Sequence, residues 1–212
     1  SLASEILQEK GVDVDVKIGL SPDELADIIV DYDGLAIRST TKVTAEILAA
    51  ASNLKVVGRA GIGVDNIDIP LATAKGVVVM NTPHGNAVTT AEHAITMLMS
   101  LARQIPAANA STQAGKWEKS KFIGTEITGK VLGIIGCGNV GTIVADRAQG
   151  LKMQVVGFDP YLTPENAKRI GIKKIELDEL LARADFITLH TPLTDATCNI
   201  ISADAINKTK AG

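Results

Sequence analysis

The sequence predicts an α/β protein built from two doubly wound parallel-sheet domains, and three observations point there. Short apolar runs alternate with helical stretches along the chain, the pattern of successive βαβ units. Residues Val131-Leu132-Gly133-Ile134-Ile135-Gly136-Cys137-Gly138-Asn139-Val140-Gly141 read as a buried strand, a glycine turn and the first turn of a helix, and Asp159 ends a second strand further on. Aromatic residues make up only 3% of the 212 residues against 46% hydrophobic ones, so Val, Ile, Leu and Ala must fill the core, as in sheets covered by helices on both faces.

Taken in order, Leu2 to Gln8 read as a helix, which implies a strand of the first sheet preceding the chain. Strands are expected at Val14 to Ile18, Leu35 to Ile37, Lys55 to Val57 and Val77 to Met80. Ser21-Pro22-Asp23-Glu24 places a capping serine, a proline at the first helical position and a glutamate three residues on, opening a helix to about Asp31. Thr44 or Thr41 caps Ala45 to Ala51, and Asp68 caps a short helix ending before Gly76. These elements make residues 1–82 the first domain, flavodoxin-like, with its first strand missing.

Asn81-Thr82-Pro83-His84-Gly85-Asn86 breaks the pattern and leads into a long helix, Ala87 to about Arg103, with alanines, Ile95, Leu98 and Leu101 on its buried side. This helix reads as the crossing into a second domain, residues 83–212. A polar stretch from Gln113 to Lys121, holding the sole tryptophan, Trp117, precedes strands at 131–135, 154–158 and 186–189 and helices near 140–149, 164–169 and 178–183. That is the first half of a Rossmann-type dinucleotide-binding sheet; the second half is expected beyond Lys210-Ala211-Gly212.

Each residue of the glycine motif has a task. Gly136 permits the sharp turn, Gly138 has no Cβ to obstruct a pyrophosphate, and Gly141 lets the helix lie close on the strand. The free amides of the helix N-terminus, with the partial positive charge of aligned peptide dipoles, then bind the phosphates without a lysine. Asp159 would accept hydrogen bonds from the adenosine ribose. It is followed by Pro160 and Tyr161 rather than arginine, which selects NAD over NADP as the cofactor.

The net charge of −3 and scattered lysines offer no extended basic surface, which argues against nucleic acid as a partner. The apolar runs are too short to span a bilayer and the first residues lack a signal pattern, so no membrane partner and a cytoplasmic location are expected. Cys137 and Cys198 make neither a disulfide framework nor a redox pair, and Cys137 reads as a small buried filler. His84, His93 and His190 lie far apart in sequence and no metal site is visible. Asp65-Asn66-Ile67-Asp68 lacks the glycine and glutamate of a calcium loop and reads as a capped turn.

Ligands of open α/β sheets bind beyond the carboxyl ends of strands, where two segments stand out. Ile37-Arg38-Ser39-Thr40 follows one strand and Gly58-Arg59-Ala60-Gly61-Ile62-Gly63 the next. A guanidinium there presents a planar fork of donors to a carboxylate or phosphate, and the backbone at Gly61 and Gly63 can approach an anion closely. A small, doubly charged organic acid suits. Arg38 can alternatively lie in a surface ion pair, and Arg59 can serve the hinge between domains.

The runs Ala36 to Thr44, Val57 to Asp68, Val79 to Pro83 and Gly115-Lys116-Trp117, together with the glycine motif, are similar to those of the D-isomer-specific 2-hydroxyacid dehydrogenases, a resemblance covering nearly the whole chain. It implies that Arg38 and the amides of Gly61, Ile62 and Gly63 hold the substrate's carboxylate or phosphate, with Asn86 near the reacting centre; Ser39 and Arg59, by their places after the strands, complete the candidate substrate site. It further implies that Ile62, Asn139, Val140, Asp159 and Thr191 contact NAD, with His190-Thr191-Pro192 ending a strand near the adenosine. The implied reaction oxidises 3-phosphoglycerate to 3-phosphohydroxypyruvate, in a homodimer or homotetramer. Other activities of the same fold are the reduction of glyoxylate or hydroxypyruvate, and a non-catalytic NAD-sensing corepressor role. One departure matters: the family's catalytic arginine, glutamate and acid–base histidine would follow Gly212, and none of the three histidines here matches that position. No catalytic residue is therefore assigned, and the chain is expected to bind without turning over.

Overall fold

The computed structural model describes residues 2–211. The chain divides into two compact units, residues 1–82 and 83–212.

The first unit opens with helix α1, Leu2–Glu9. The expected strand from Val14 to Ile18 is absent; the backbone there is irregular and Val16 and Ile18 are exposed. The alternation that suggested a strand is real, but no strand among the described residues lies beside it, and an unpaired extended run gains no ladder from its β propensity. Tyr32 holds the segment instead, its hydroxyl donating to Asp15 Oδ2 at 2.6 Å and its ring centroid 5.8 Å from Lys17 Nζ.

Helix α2, Pro22–Ile28, starts from the full capping box: the Glu24 amide donates to Ser21 Oγ, and the Ser21 amide to Glu24 Oε2 at 2.8 Å. It tightens into a 3₁₀ turn, Ile29–Asp31, before β1, Gly34–Ile37. Then follow α3, Ala45–Ala50, capped by Thr44 and not Thr41; β2, Val56–Arg59; α4, Ile69–Ala74, capped by Asp68; and β3, Val78–Asn81. The sheet is parallel, in the order β1-β2-β3, with Gly34 opposite Val56 and Val56 opposite Val78. In-phase strands bring their three exit loops to one edge. Ile29, Ile37, Ile47, Leu48, Val57 and Ala72 form the core, each large side chain contributing about 1.5–3 kcal/mol by leaving water.

The second unit begins with α5, Ala87–Ala102. Its inner stripe is Ala87, Ala91, Ala94, Ile95, Leu98 and Ala102. Leu101, expected on that stripe, is 73% exposed. At about 100° per residue it lies roughly 80° around the helix from Ala91, beyond the contact face. Gln104, with φ +53°, ends this helix in the left-handed region, and α6, Ile105–Gln113, starts again with Pro106 in its first turn, where a missing amide costs nothing. The sequence reading did not foresee α6.

The remaining elements are β4, Val131–Ile135; α7, Asn139–Gly150; β5, Gln154–Phe158; α8, Pro164–Arg169; a two-residue edge strand β6, Lys173–Lys174; α9, Leu177–Arg183; β7, Phe186–Leu189; and α10, Ala203–Asn207. All strands are parallel, in the order β6-β5-β4-β7. Leu132 and Ile134 of β4 pack towards α5 and α7, while Ile135 packs with Leu180 of α9 and with Ala184 that caps it, so helices cover both faces. Gly133 is where α9 comes closest: a Cβ there would stand 2.6 Å from Leu180 Cδ2. The strand order reverses at β4, which makes the crevice between β4 and β7 the switch point where ligands of such sheets bind.

Candidate functional site

In the second unit the loop leaving β4 meets the loop leaving β7. Gly136 has φ +92°, a conformation that L side chains rarely adopt, and a Cβ on it would lie 2.6 Å from the His190 carbonyl oxygen and 2.9 Å from Thr191 Cγ2. Gly141 is equally constrained by contact, since its Cβ would stand 2.1 Å from the Gly136 carbonyl oxygen. Gly138 is the opposite case. A Cβ there would find nothing within 4 Å, so its lack of a side chain keeps space open and relieves no internal crowding. Such a space beside the first turn of α7, whose N-cap makes no side-chain hydrogen bond, suits a pyrophosphate.

Asp159, partly buried at the end of β5, is fixed through both carboxylate oxygens: Oδ2 accepts from the Cys137 amide and Oδ1 from the Tyr161 amide, each at 2.8 Å. The carboxylate is thus tied to the glycine loop with lone pairs left for a diol. Asn139 and Val140 open α7; the Asn139 side chain donates to the Pro83 carbonyl at 3.2 Å, which leaves its amide, not its side chain, for a ligand. Thr142 Oγ1 donates to the Cys137 carbonyl at 3.2 Å, a brace the sequence reading missed. Burial, and then the Asp159 charge, push the Cys137 thiol up to about 12, so it stays protonated and unreactive.

His190 begins the loop after β7, with Thr191 and Pro192 following. Its Nε2 lies 2.9 Å from Thr188 Oγ1, and burial pulls its pKa below the usual imidazole value. Asn86 is exposed and precedes α5 without a side-chain cap.

In the first unit the exits of β1, β2 and β3 are laced together. Asn66 Nδ2 donates to the Arg38 carbonyl at 3.1 Å and the Thr41 carbonyl at 2.6 Å, holding the loop that carries Arg38 and Ser39. Asn81 Nδ2 donates to the Ile62 carbonyl at 2.7 Å, and Gly61 exchanges two hydrogen bonds with Thr82. The Arg59 side chain lies along this loop, with Nη1 standing 2.1 Å from where a Gly61 Cβ would be. Arg59 Nε is buried and has no hydrogen-bond partner. Gly63 borders the Asp65 carboxylate. Among the described residues no ion pair engages Arg38 or Arg59. Asn66, Asn81 and Thr82 were absent from the sequence-derived site; an asparagine as the last residue of β3 was the available signal.

The family described as "D-isomer specific 2-hydroxyacid dehydrogenase, NAD binding domain" matches residues 95–212. The chain is similar to D-3-phosphoglycerate dehydrogenase of Synechocystis sp., at 48% identity over 99% of this chain and 39% of that protein. It is also similar in structure to a protein of Thermus thermophilus, with TM-score 0.90 and 29% identity over 100% of this chain and 68% of that one. D-lactate dehydrogenase of Aquifex aeolicus, solved with NAD and lactic acid, gives TM-score 0.87 and 26% identity over 98% of this chain and 63% of that one. The chain spans about 39% of the length of the Synechocystis relative.

Proposed function

Because the chain belongs to the D-isomer-specific 2-hydroxyacid dehydrogenases and carries their NAD-binding domain over residues 95–212, we propose that it is the NAD- and substrate-anion-binding part of a phosphoglycerate dehydrogenase. The reaction is oxidation of 3-phospho-D-glycerate to 3-phosphohydroxypyruvate, the first step of L-serine biosynthesis. Relatives of that name at 47–49% identity support the choice of substrate. The observation that carries it is the pair of arginines, Arg38 and Arg59, at the exits of neighbouring strands, with no acidic partner among the described residues and with amides beside them.

Bound at the glycine loop, NAD supplies the hydride acceptor. The amides of Asn139, Val140 and Gly141 hold its pyrophosphate, Asp159 its ribose, and the loop at His190, Thr191 and Pro192 closes the crevice beside it. Arg38, Ser39, Arg59 and the amides of Gly61, Ile62 and Gly63 orient the acid. His84 and His93 are exposed, and His190 is half-buried with its Nε2 2.9 Å from Thr188 Oγ1, burial drawing its pKa below the usual imidazole value. These 212 residues bind both ligands. The chain assembles as a homodimer or homotetramer through the outer surface of α5 and the Trp117 segment, where Met97, Leu101 and Trp117 are exposed. Leu98 faces the core and takes no part.

Calorimetric titration with 3-phosphoglycerate, glyoxylate and hydroxypyruvate in the presence of NADH tests the substrate. The phosphorylated acid should bind at least tenfold more tightly, the worth of one additional charged hydrogen bond at about 1.5–3 kcal/mol. Tighter binding of glyoxylate would overturn the assignment.

A further inference from the structure

We infer that Asn81 and Thr82 are positioning residues that aim the substrate-binding amides of Ile62 and Gly63, an inference that rests on the anion-binding role proposed above for that loop. The peptide unit is planar and trans, so the carbonyl of one residue and the N–H of the next point in opposite directions. Pinning a carbonyl therefore aims the following amide. The Gly61 carbonyl accepts from the Thr82 amide at 3.0 Å, which turns the Ile62 N–H away from β3. The Ile62 carbonyl accepts from Asn81 Nδ2 at 2.7 Å, which turns the Gly63 N–H the same way. Thr82 Oγ1 accepts from the Gly61 amide at 2.8 Å and so clamps the preceding peptide as well. Three successive peptide units are fixed by two residues of one strand end.

The fixed amides are left without a partner of their own. Among the described residues no hydrogen bond uses the Ile62 or Gly63 N–H. Two adjacent amides pointing one way form an anion-binding concavity, and the Arg59 guanidinium lies against the same loop with its Nε buried and unpaired. Gly61 must remain glycine for this geometry: its φ is +152° and a Cβ would collide with Arg59 Nη1. Free to rotate, the same peptides would scatter their dipoles and offer a carboxylate one amide at a time.

The test measures 3-phosphoglycerate binding to the chain by calorimetry, with backbone amide shifts read by NMR. Thr82→Val keeps the shape and removes the acceptor; Asn81→Leu keeps the size and removes the donor. Each should weaken binding about three- to tenfold, the effect of one net hydrogen bond. Each should also shrink the ligand-induced shifts of the Ile62 and Gly63 amides while leaving the unfolding midpoint within a degree or two. Thr82→Ser, which retains the hydroxyl, should restore binding to within twofold. Wild-type affinity in both Thr82→Val and Asn81→Leu, with the wild-type chain still binding, overturns the positioning role and leaves the functional reading standing. No binding by the wild-type chain overturns both. Equal loss in Thr82→Ser and Thr82→Val also overturns it, because shape and not the hydroxyl would then be responsible.

Discussion

Alanine at Gly138 and alanine at Gly141 are the same chemical change, separated by three residues, and should have opposite consequences. At Gly138 a methyl meets nothing within 4 Å, and φ of −73° is ordinary for an L residue. The fold should therefore tolerate it, with a gain of about 0.4–1 kcal/mol from the stiffer unfolded chain. The methyl occupies the space assigned to the pyrophosphate, however, and displacing the phosphates from even one amide forfeits about 1.5–3 kcal/mol, or roughly ten- to hundredfold in NADH affinity. At Gly141 the methyl would stand 2.1 Å from the Gly136 carbonyl oxygen and 3.3 Å from Ile134 Cγ2. Backbone cannot yield as a flexible side chain can, so α7 must shift by about 1 Å to restore contact distance, at the cost of about 1–3 kcal/mol typical of overpacking. Differential scanning calorimetry and NADH fluorescence titration on both variants separate the two effects. Gly138→Ala should keep its unfolding midpoint and lose NADH; Gly141→Ala should lose several degrees as well as affinity. A Gly138→Ala chain that binds NADH as tightly as the wild type would show that the phosphates do not lie over that residue.

Four further outcomes are expected. Asp159→Ala should relax the preference for NADH over NADPH by more than tenfold, because a 2′-phosphate about 4 Å from the carboxylate costs about 4 kcal/mol at an effective dielectric near 20 before salt screening, and half of that suffices; parallel titrations with the two cofactors check it. A thiol reagent at pH 8 should modify exposed Cys198 alone in the native chain and Cys137 only after unfolding. Because the Cys137 pKa is raised from 9.0 to about 12, its contribution to stability is complete below pH 9 and declines as the pH rises towards 12, which chemical unfolding of Cys137→Ala and wild type across that range measures. His190 shifts the other way: its folded pKa is depressed by burial, so its contribution is complete above 6.5 and is lost as acid forces a proton onto the ring, and an NMR titration that finds the His190 ring protonating above 6.5 contradicts the assignment.

The β4–α7 turn and the helix caps were the most legible parts of the sequence, for physical reasons. In β4 and α7 the apolar run, the three glycines and the following acid each serve one local geometry, and local geometry is what a sequence pattern encodes. Ser21 with Glu24, Thr44 and Asp68 were readable for the same reason, since a cap involves residues three apart. Val14 to Ile18 carried the right alternation, but strand formation depends on a neighbour that periodicity does not report. Helix α6 was hidden because Gln104 interrupts the apolar pattern. The two lysines of β6 join β5 through backbone bonds that side-chain periodicity does not encode. In the anion-binding loop, Arg38 and Arg59 stand out by charge and position after strands. The side chains that hold their loops, Asn66, Asn81 and Thr82, act across 19 to 28 residues of sequence, and no local pattern marks such a partnership.

The central claim is that the first amides of α7 receive a pyrophosphate while Asp159 holds the attached ribose. Amide chemical shifts recorded during NADH titration of the chain test it most directly. The account predicts saturable shifts concentrated at Cys137, Asn139, Val140, Gly141 and the Asp159–Tyr161 turn, with a single binding isotherm for all of them. Heat and shifts absent throughout, or shifts confined to residues away from the β4–α7 turn, would contradict it.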